Sequence, residues 1–161
     1  MIERKNFSLN DFRVFEKPVI EKGSPFLSSR EVFEYFNLVS RSDREMFVCF
    51  FLDAKNHLIQ DEIHSIGTVD TSAVYPREIF KSALLYGASS IICIHNHPSG
   101  DPDPSVHDTE ITKNIVWGGH LLGIKILDHI IVGDNDRYYS YGDQGLMEEF
   151  DLNLKQITNS I

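Results

Sequence analysis

Two histidines one residue apart, His95 and His97, are the residues of this chain best suited to chemistry. They follow a short apolar run, Ser89–Ile94, that reads as a buried strand. In a strand, residues i and i+2 project to the same side, so both imidazoles can face one point. Neutral imidazole is a favoured zinc ligand, and a catalytic zinc takes three protein ligands with a fourth position left for water. Asp108 is the natural third ligand. The Pro- and Gly-rich stretch between His97 and Pro104 can fold the start of the next helix back over the strand end. One zinc per chain is therefore the expected cofactor. Each fragment alone has a plainer explanation: His-x-His arises by chance, and Ser105-x-x-Asp108 is an adequate helix N-cap pair. Together they ask for two histidines on a strand end, a tight loop and a carboxylate at a helix start, which is a metal-site pattern.

Other polar residues near this pattern carry less. Asp101 and Asp103 sit in Asp-Pro steps, which favour turns without any metal. Asp128 and His129 are neighbours on an expected strand and so point to opposite faces. One of them can orient a ligand histidine, because a metal-bound imidazole usually gives its other N–H to a protein acceptor. Cys93 shares the strand face of His95 but reads as a small core residue. His57, His64, His107 and His120 have no ligand partners at matching spacing and read as surface or packing residues.

The elements that must hold these residues are legible from pattern. Ser28-x-x-Glu31 resembles a capping box opening a short helix through Val32, Phe33, Tyr35 and Phe36. Glu45–Leu52 (EMFVCFFL) is too apolar for a half-exposed element and reads as a central buried strand. A turn around Ala54–His57 joins it to a second strand near Leu58–Ile66, making a hairpin. After the break at Gly67-Thr68, Pro76 opens a helix with an apolar stripe of Ile79, Phe80, Ala83 and Leu84, stopped by Gly87. A long helix starts at Ser105 and ends at the glycines before Ile124; Ile124–Val132 and Arg137–Tyr141 are further strands, joined by a turn at Gly133-Asp134-Asn135. Strands alternating with helices predict an α/β sandwich on a mixed sheet. Residues 1–27 are read as a lead-in segment and residues 28–161 as the domain.

The 161 residues suffice for one core without staples. Fifteen Lys+Arg against 24 Asp+Glu leave a net charge of −9 and no basic run, so nucleic-acid binding is expected to be weak or absent. No stretch approaches the ~18 apolar residues of a membrane span, and the start of the chain lacks a secretory signal. Cys49 and Cys93, the only cysteines, have no disulfide spacing. A cytoplasmic protein is expected.

The run His95-Asn96-His97-Pro98-Ser99-Gly100-Asp101-Pro102, with Pro104-Ser105 and Asp108, closely resembles the signature of the RadC family, a branch of the JAMM/MPN metalloprotease superfamily. Glu45-Met46-Phe47, Phe51-Leu52-Asp53, Gly67-Thr68, Tyr75–Phe80 and Leu127-Asp128-His129 resemble further family segments in the same order. The resemblance implies a JAMM/MPN-like (cytidine-deaminase-like) α/β/α sandwich. It also implies zinc-dependent hydrolysis of a peptide or isopeptide amide bond in a peptide or protein substrate. Glu45 would be the general base and Ser105 a hydroxyl donor to the oxyanion. From the residues alone, Glu45 reads rather as the end of the exposed run Arg41–Arg44, and Ser105 equally as a helix cap. Longer family members carry an N-terminal helix-hairpin-helix region, and the ~27 residues upstream here are too few for one. This weakens transfer of the family's DNA-repair label. The competing expectation is a non-enzymatic, zinc-containing accessory module in DNA repair or recombination. A homo-oligomer is left open by the sequence.

Overall fold

Glu45–Leu52 forms the strand β1, and every residue after Glu45 is buried. An apolar run of this kind is stable as a strand only with both faces covered. The computed structural model, which describes residues 25–26, 28–37, 44–67 and 74–158, covers both. β1 lies between β2 (Leu58–Gly67) and β3 (Ser90–Asn96) and runs antiparallel to each. β4 (Lys125–Val132) runs parallel to β3, and the short β5 (Tyr138–Ser140) antiparallel to β4. The five-stranded order is β2-β1-β3-β4-β5, a mixed sheet.

Alternate residues of the strands feed two cores. Phe47, Cys49, Phe51, Ile91, Cys93 and Ile131 face one side. They pack there under the helices α2 (Pro76–Tyr86), α3 (Val106–Leu122) and α4 (Leu146–Thr158). Val48, Phe50, Ile92, Ile94 and Ile130 face the other side, against Val32, Phe33 and Phe36 of α1 (Ser29–Asn37). The result is the expected α/β/α sandwich. His95 follows Ile91 and Cys93 at period two, which places it on the three-helix side.

Local signals explain the boundaries. The Glu31 N–H donates to Ser28 Oγ at 3.3 Å ahead of α1. Pro76 opens α2, and Gly87 ends it in the left-handed conformation, φ 63°. Two readings change. Leu84, placed in the apolar stripe of α2, is 62% exposed, whereas Ser82 is buried. β3 extends through His95 and Asn96, as the strand-end placement of the His-x-His requires, and His97 lies just past it. The C-terminal helix α4 was not expected, although Met147, Phe150 and Leu154 recur near helical spacing and are buried. Of the lead-in, residues 1–24 and Leu27 lie outside the described residues, as do Arg41–Asp43 and Thr68. Pro25 and Phe26 are built onto the sheet: Pro25 bridges to His57, and the Phe26 N–H donates to Asn56 O at 3.1 Å. Among the described residues, no helix is long and apolar enough to cross a membrane.

Candidate metal centre

His95 and His97 meet Asp108 at the upper end of β3, as the spacing predicts. His95 Nε2 and His97 Nε2 lie 3.1 Å apart. Asp108 Oδ1 is 3.2 Å from the first and Oδ2 is 3.3 Å from the second. One ligand atom from each of the three residues lies within 4.8 Å of the others, and the two nitrogens approach the ~3.3–3.4 Å that separates ligands bound to a tetrahedral zinc at ~2.0–2.1 Å. Among the described residues, this is the one group of three or more potential ligands gathered closely enough for a metal ion. Two imidazoles and a carboxylate are a donor set that zinc takes in sites with an open position. The residues fit the ion.

Each ligand is held from behind. His97 Nδ1–H donates to the carbonyl of Asp101 at 2.7 Å, which leaves Nε2 for the site. The loop that brings Asp101 there depends on Gly100, at φ +79°. The Gly100 carbonyl accepts from Asp134 N–H at 2.8 Å and from Arg137 Nη2 at 2.9 Å. His95, 1% exposed, stacks beside Phe47 and has its Nδ1 2.9 Å from His129 Nε2. His129 Nδ1 is in turn 2.6 Å from Thr112 Oγ1 on α3.

Asp108 is the third residue of α3 and closes a capping box with Ser105. Its N–H donates to Ser105 Oγ at 3.1 Å, and its Oδ2 accepts from Ser105 N–H at 2.7 Å. The Ser105 hydroxyl also donates to Oδ2, at 2.6 Å. The box therefore aims the carboxylate at the histidines by the same contacts that start the helix. Burial alone would raise the Asp108 carboxyl, but its contacts with the His95 and His97 rings and the Ser105 hydroxyl hold it well below the usual carboxylate range. The hydrogen bond to Asp108 raises the His97 imidazole against the opposing effect of burial.

Glu45, half-buried, opens β1 beside the site. Phe47 pairs with His95, so continuing the antiparallel register by two residues sets Glu45 opposite His97 on the same face. Its charge is close enough to raise the His97 imidazole further. Asn96, between the two histidines, points to the opposite face and clamps the backbone on both sides of Glu45. Its Oδ1 accepts from Met46 N–H at 2.9 Å, and its Nδ2 donates to the Arg44 carbonyl at 3.0 Å. Sequence reasoning passed over Asn96 and Thr112. The only advance signal was position: one inside the His-x-His, the other one helical turn after Asp108.

Of the two residues offered as partners for a ligand histidine, the structure brings His129 to His95 and keeps Asp128 away. The Asp128 Oδ1 accepts from the N–H groups of His129 and Gly142, each at 2.7 Å, and Oδ2 accepts from Ser140 Oγ at 2.6 Å. Asp128 thus ties β4 to the turn after β5. Burial pushes its carboxyl up to about 6 despite these donors. Burial, with the charge of His95, lowers His129 well below the ordinary histidine range. Cys93 lies 3.8 Å from Cys49, sulfur to sulfur, away from the ligand cluster. His57 pairs with Asp53 and His120 with Asp151, while His107 is exposed. None of the three joins the cluster.

A mixed five-stranded sheet between helices, with this constellation at the strand ends, defines a JAB/MPN-type α/β domain. The sequence profile described as a RadC-like JAB domain matches residues 26–146, and the chain belongs to the RadC family. A UPF0758 protein of Methanosarcina acetivorans is 53% identical over 104 residues, 65% of this chain and 45% of that protein. One of Methanococcoides burtonii is 41% identical over 138 residues, 83% of this chain and 60% of that protein. A third, of Bacillus mycoides, is 50% identical over 102 residues, 63% and 45% of the respective chains. The matched segments thus span only 45–60% of these relatives.

Proposed function

We propose that the chain is a zinc-dependent hydrolase of the JAMM type, cleaving a peptide or isopeptide amide bond in a peptide or protein substrate. The observation that carries this reading is the gathering of two imidazole nitrogens and a carboxylate within reach of one ion, with Glu45 set beside them by the β1–β3 register and close enough to act on His97. Zinc at this position would supply Lewis acidity, which makes a water acidic enough to be deprotonated near neutral pH. His95, His97 and Asp108 would hold it. Three protein ligands leave a position open, unlike a structural site closed by four.

Glu45 takes the proton of the attacking water as the water oxygen bonds to the amide carbon, and returns a proton to the nitrogen as the C–N bond breaks. The clamp from Asn96 keeps the strand start, and so the Glu45 carboxylate, in place through both transfers. The Ser105 hydroxyl proton is committed to Asp108 in this arrangement. A donation to the oxyanion requires it to turn away while the backbone half of the capping box holds the helix. The −9 charge supports weak, sequence-independent contact with nucleic acid at most. A cysteine count of two, without the density or spacing of a disulfide framework, supports a cytoplasmic location.

Glu45→Gln tests the mechanism. The near-isosteric amide is expected to keep the fold and zinc at one equivalent, and to lower hydrolysis of a peptide-library substrate by roughly 10²–10⁴. Undiminished turnover would remove Glu45 from the mechanism.

A further inference from the structure

The buried chain behind His95 has a direction, and the direction can be read from elementary hydrogen-bond chemistry. It starts at the backbone carbonyl of Asp108, an acceptor that can never donate. Thr112 Oγ1 lies 2.5 Å from that oxygen, one helical turn on, so the single hydroxyl proton of Thr112 must lie between them. Oγ1 then has only lone pairs to offer His129 Nδ1 at 2.6 Å, and that nitrogen must carry the proton. A neutral imidazole has one N–H, so His129 Nε2 is a bare acceptor. It faces His95 Nδ1 at 2.9 Å, which must therefore be the donor. In the neutral His95 ring, the form that binds a metal, Nε2 is then left with its lone pair on the side of His97 and Asp108.

We propose that Thr112, acting through His129, is a positioning residue that sets the ring tautomer of His95 and so presents Nε2 as a ready metal ligand. The two ends of the relay belong to the same site, because it begins on the backbone of one ligand, Asp108, and ends on the ring of another. The imidazole of His129 is fixed for the task by Tyr141, whose ring stacks on it at 5.5 Å with a 9° interplanar angle. Thr112 and His129 are each 1% exposed, so no solvent water competes for the relay. Removing the Thr112 hydroxyl would leave the His129 Nδ1–H without an acceptor in a buried site. The ring would then favour the Nε2–H form, which opposes the His95 N–H and drives His95 toward the tautomer with its proton on Nε2, blocking the metal.

The inference rests on the proposed zinc site for its consequence but not for its first test. In metal-free protein labelled with ¹⁵N-histidine, at a pH where the rings are neutral, the relay predicts His129 as the Nδ1–H tautomer, the form free imidazole side chains disfavour. Wild-type His129 as the Nε2–H tautomer overturns the proposal, whatever zinc does. In a chelator-competition titration, Thr112→Val should weaken zinc binding about 10–100-fold, the usual cost of losing an outer partner of a ligand histidine. Thr112→Ser, which restores the hydroxyl, should bind within about threefold of wild type. Unchanged affinity in Thr112→Val, or an equal loss in Thr112→Ser, also overturns it. If Thr112→Val does not fold, the wild-type tautomer decides. A wild type that shows the predicted tautomer yet binds no zinc would sink the functional reading and leave the relay standing.

Discussion

Asp128→Asn should gain stability relative to wild type as pH rises from about 5 to about 8, although it removes a buried carboxylate that accepts three hydrogen bonds. Asp128 is 8% exposed, and burial pushes its carboxyl from 3.8 up to about 6. A carboxyl raised by folding holds a proton that the unfolded chain releases. Its contribution is thus present in full below the unfolded pKa and is lost as pH rises through the folded one. A gap of roughly two pH units corresponds to about 3 kcal/mol, and about 1.4 kcal/mol of that loss falls between pH 5 and pH 8. Asparagine fits the same contacts without ionising. Its Oδ1 can accept from the His129 and Gly142 N–H groups, and its Nδ2 can donate to Ser140 Oγ. Urea unfolding of both proteins with chelator at pH 5 and pH 8 isolates the effect, because other titrations cancel in the comparison. The variant should gain about 1.4 kcal/mol on wild type between the two pH values. A difference that does not change with pH, or one that changes with the opposite sign, would refute the account of Asp128 as a carboxyl held back from ionising. Loss of zinc in Asp128→Asn would refute its separation from the metal centre.

Two further perturbations bear on the site. Zinc at a thousandfold excess over its dissociation constant should stabilise the wild type by about 4 kcal/mol in equilibrium unfolding. His97→Ala should lose most of that gain; equal stabilisation of both would place the ion elsewhere. Gly100→Ala should lower stability by about 1–2 kcal/mol from its left-handed backbone alone. It should also weaken zinc binding, because an added Cβ would clash with the Asp134 carboxylate and disturb the loop whose Asp101 carbonyl holds His97. A melting temperature and zinc affinity equal to wild type would show that this loop does not position His97.

Local signals carried far in this chain because the site is built from short-range grammar. An apolar octet had to be a buried strand, a His-x-His at a strand end had to share a face, and Ser105-x-x-Asp108 had to start a helix. What escaped depends on register between distant segments. Asp128 and His129 point to opposite faces in any register. Only the parallel pairing of Cys93 with His129 brings the second, not the first, to the His95 side. Asn96 acts through the backbone of a strand 50 residues earlier, and no local pattern announces such a clamp. Leu84 sits at the margin of a helical stripe whose orientation is set by the sheet. The apolar positions of α4 were readable, but no strong N-terminal cap marked its start.

X-ray absorption at the zinc edge tests the central claim most directly, because it counts ligands without a substrate. The protein purified without a histidine tag should carry one zinc. Its spectrum should show only nitrogen and oxygen neighbours at about 2.0–2.1 Å, with outer scattering from two imidazoles, falling to one in His97→Ala. Sulfur at about 2.3 Å, an unchanged imidazole count in that variant, or no zinc retained or taken up would contradict it.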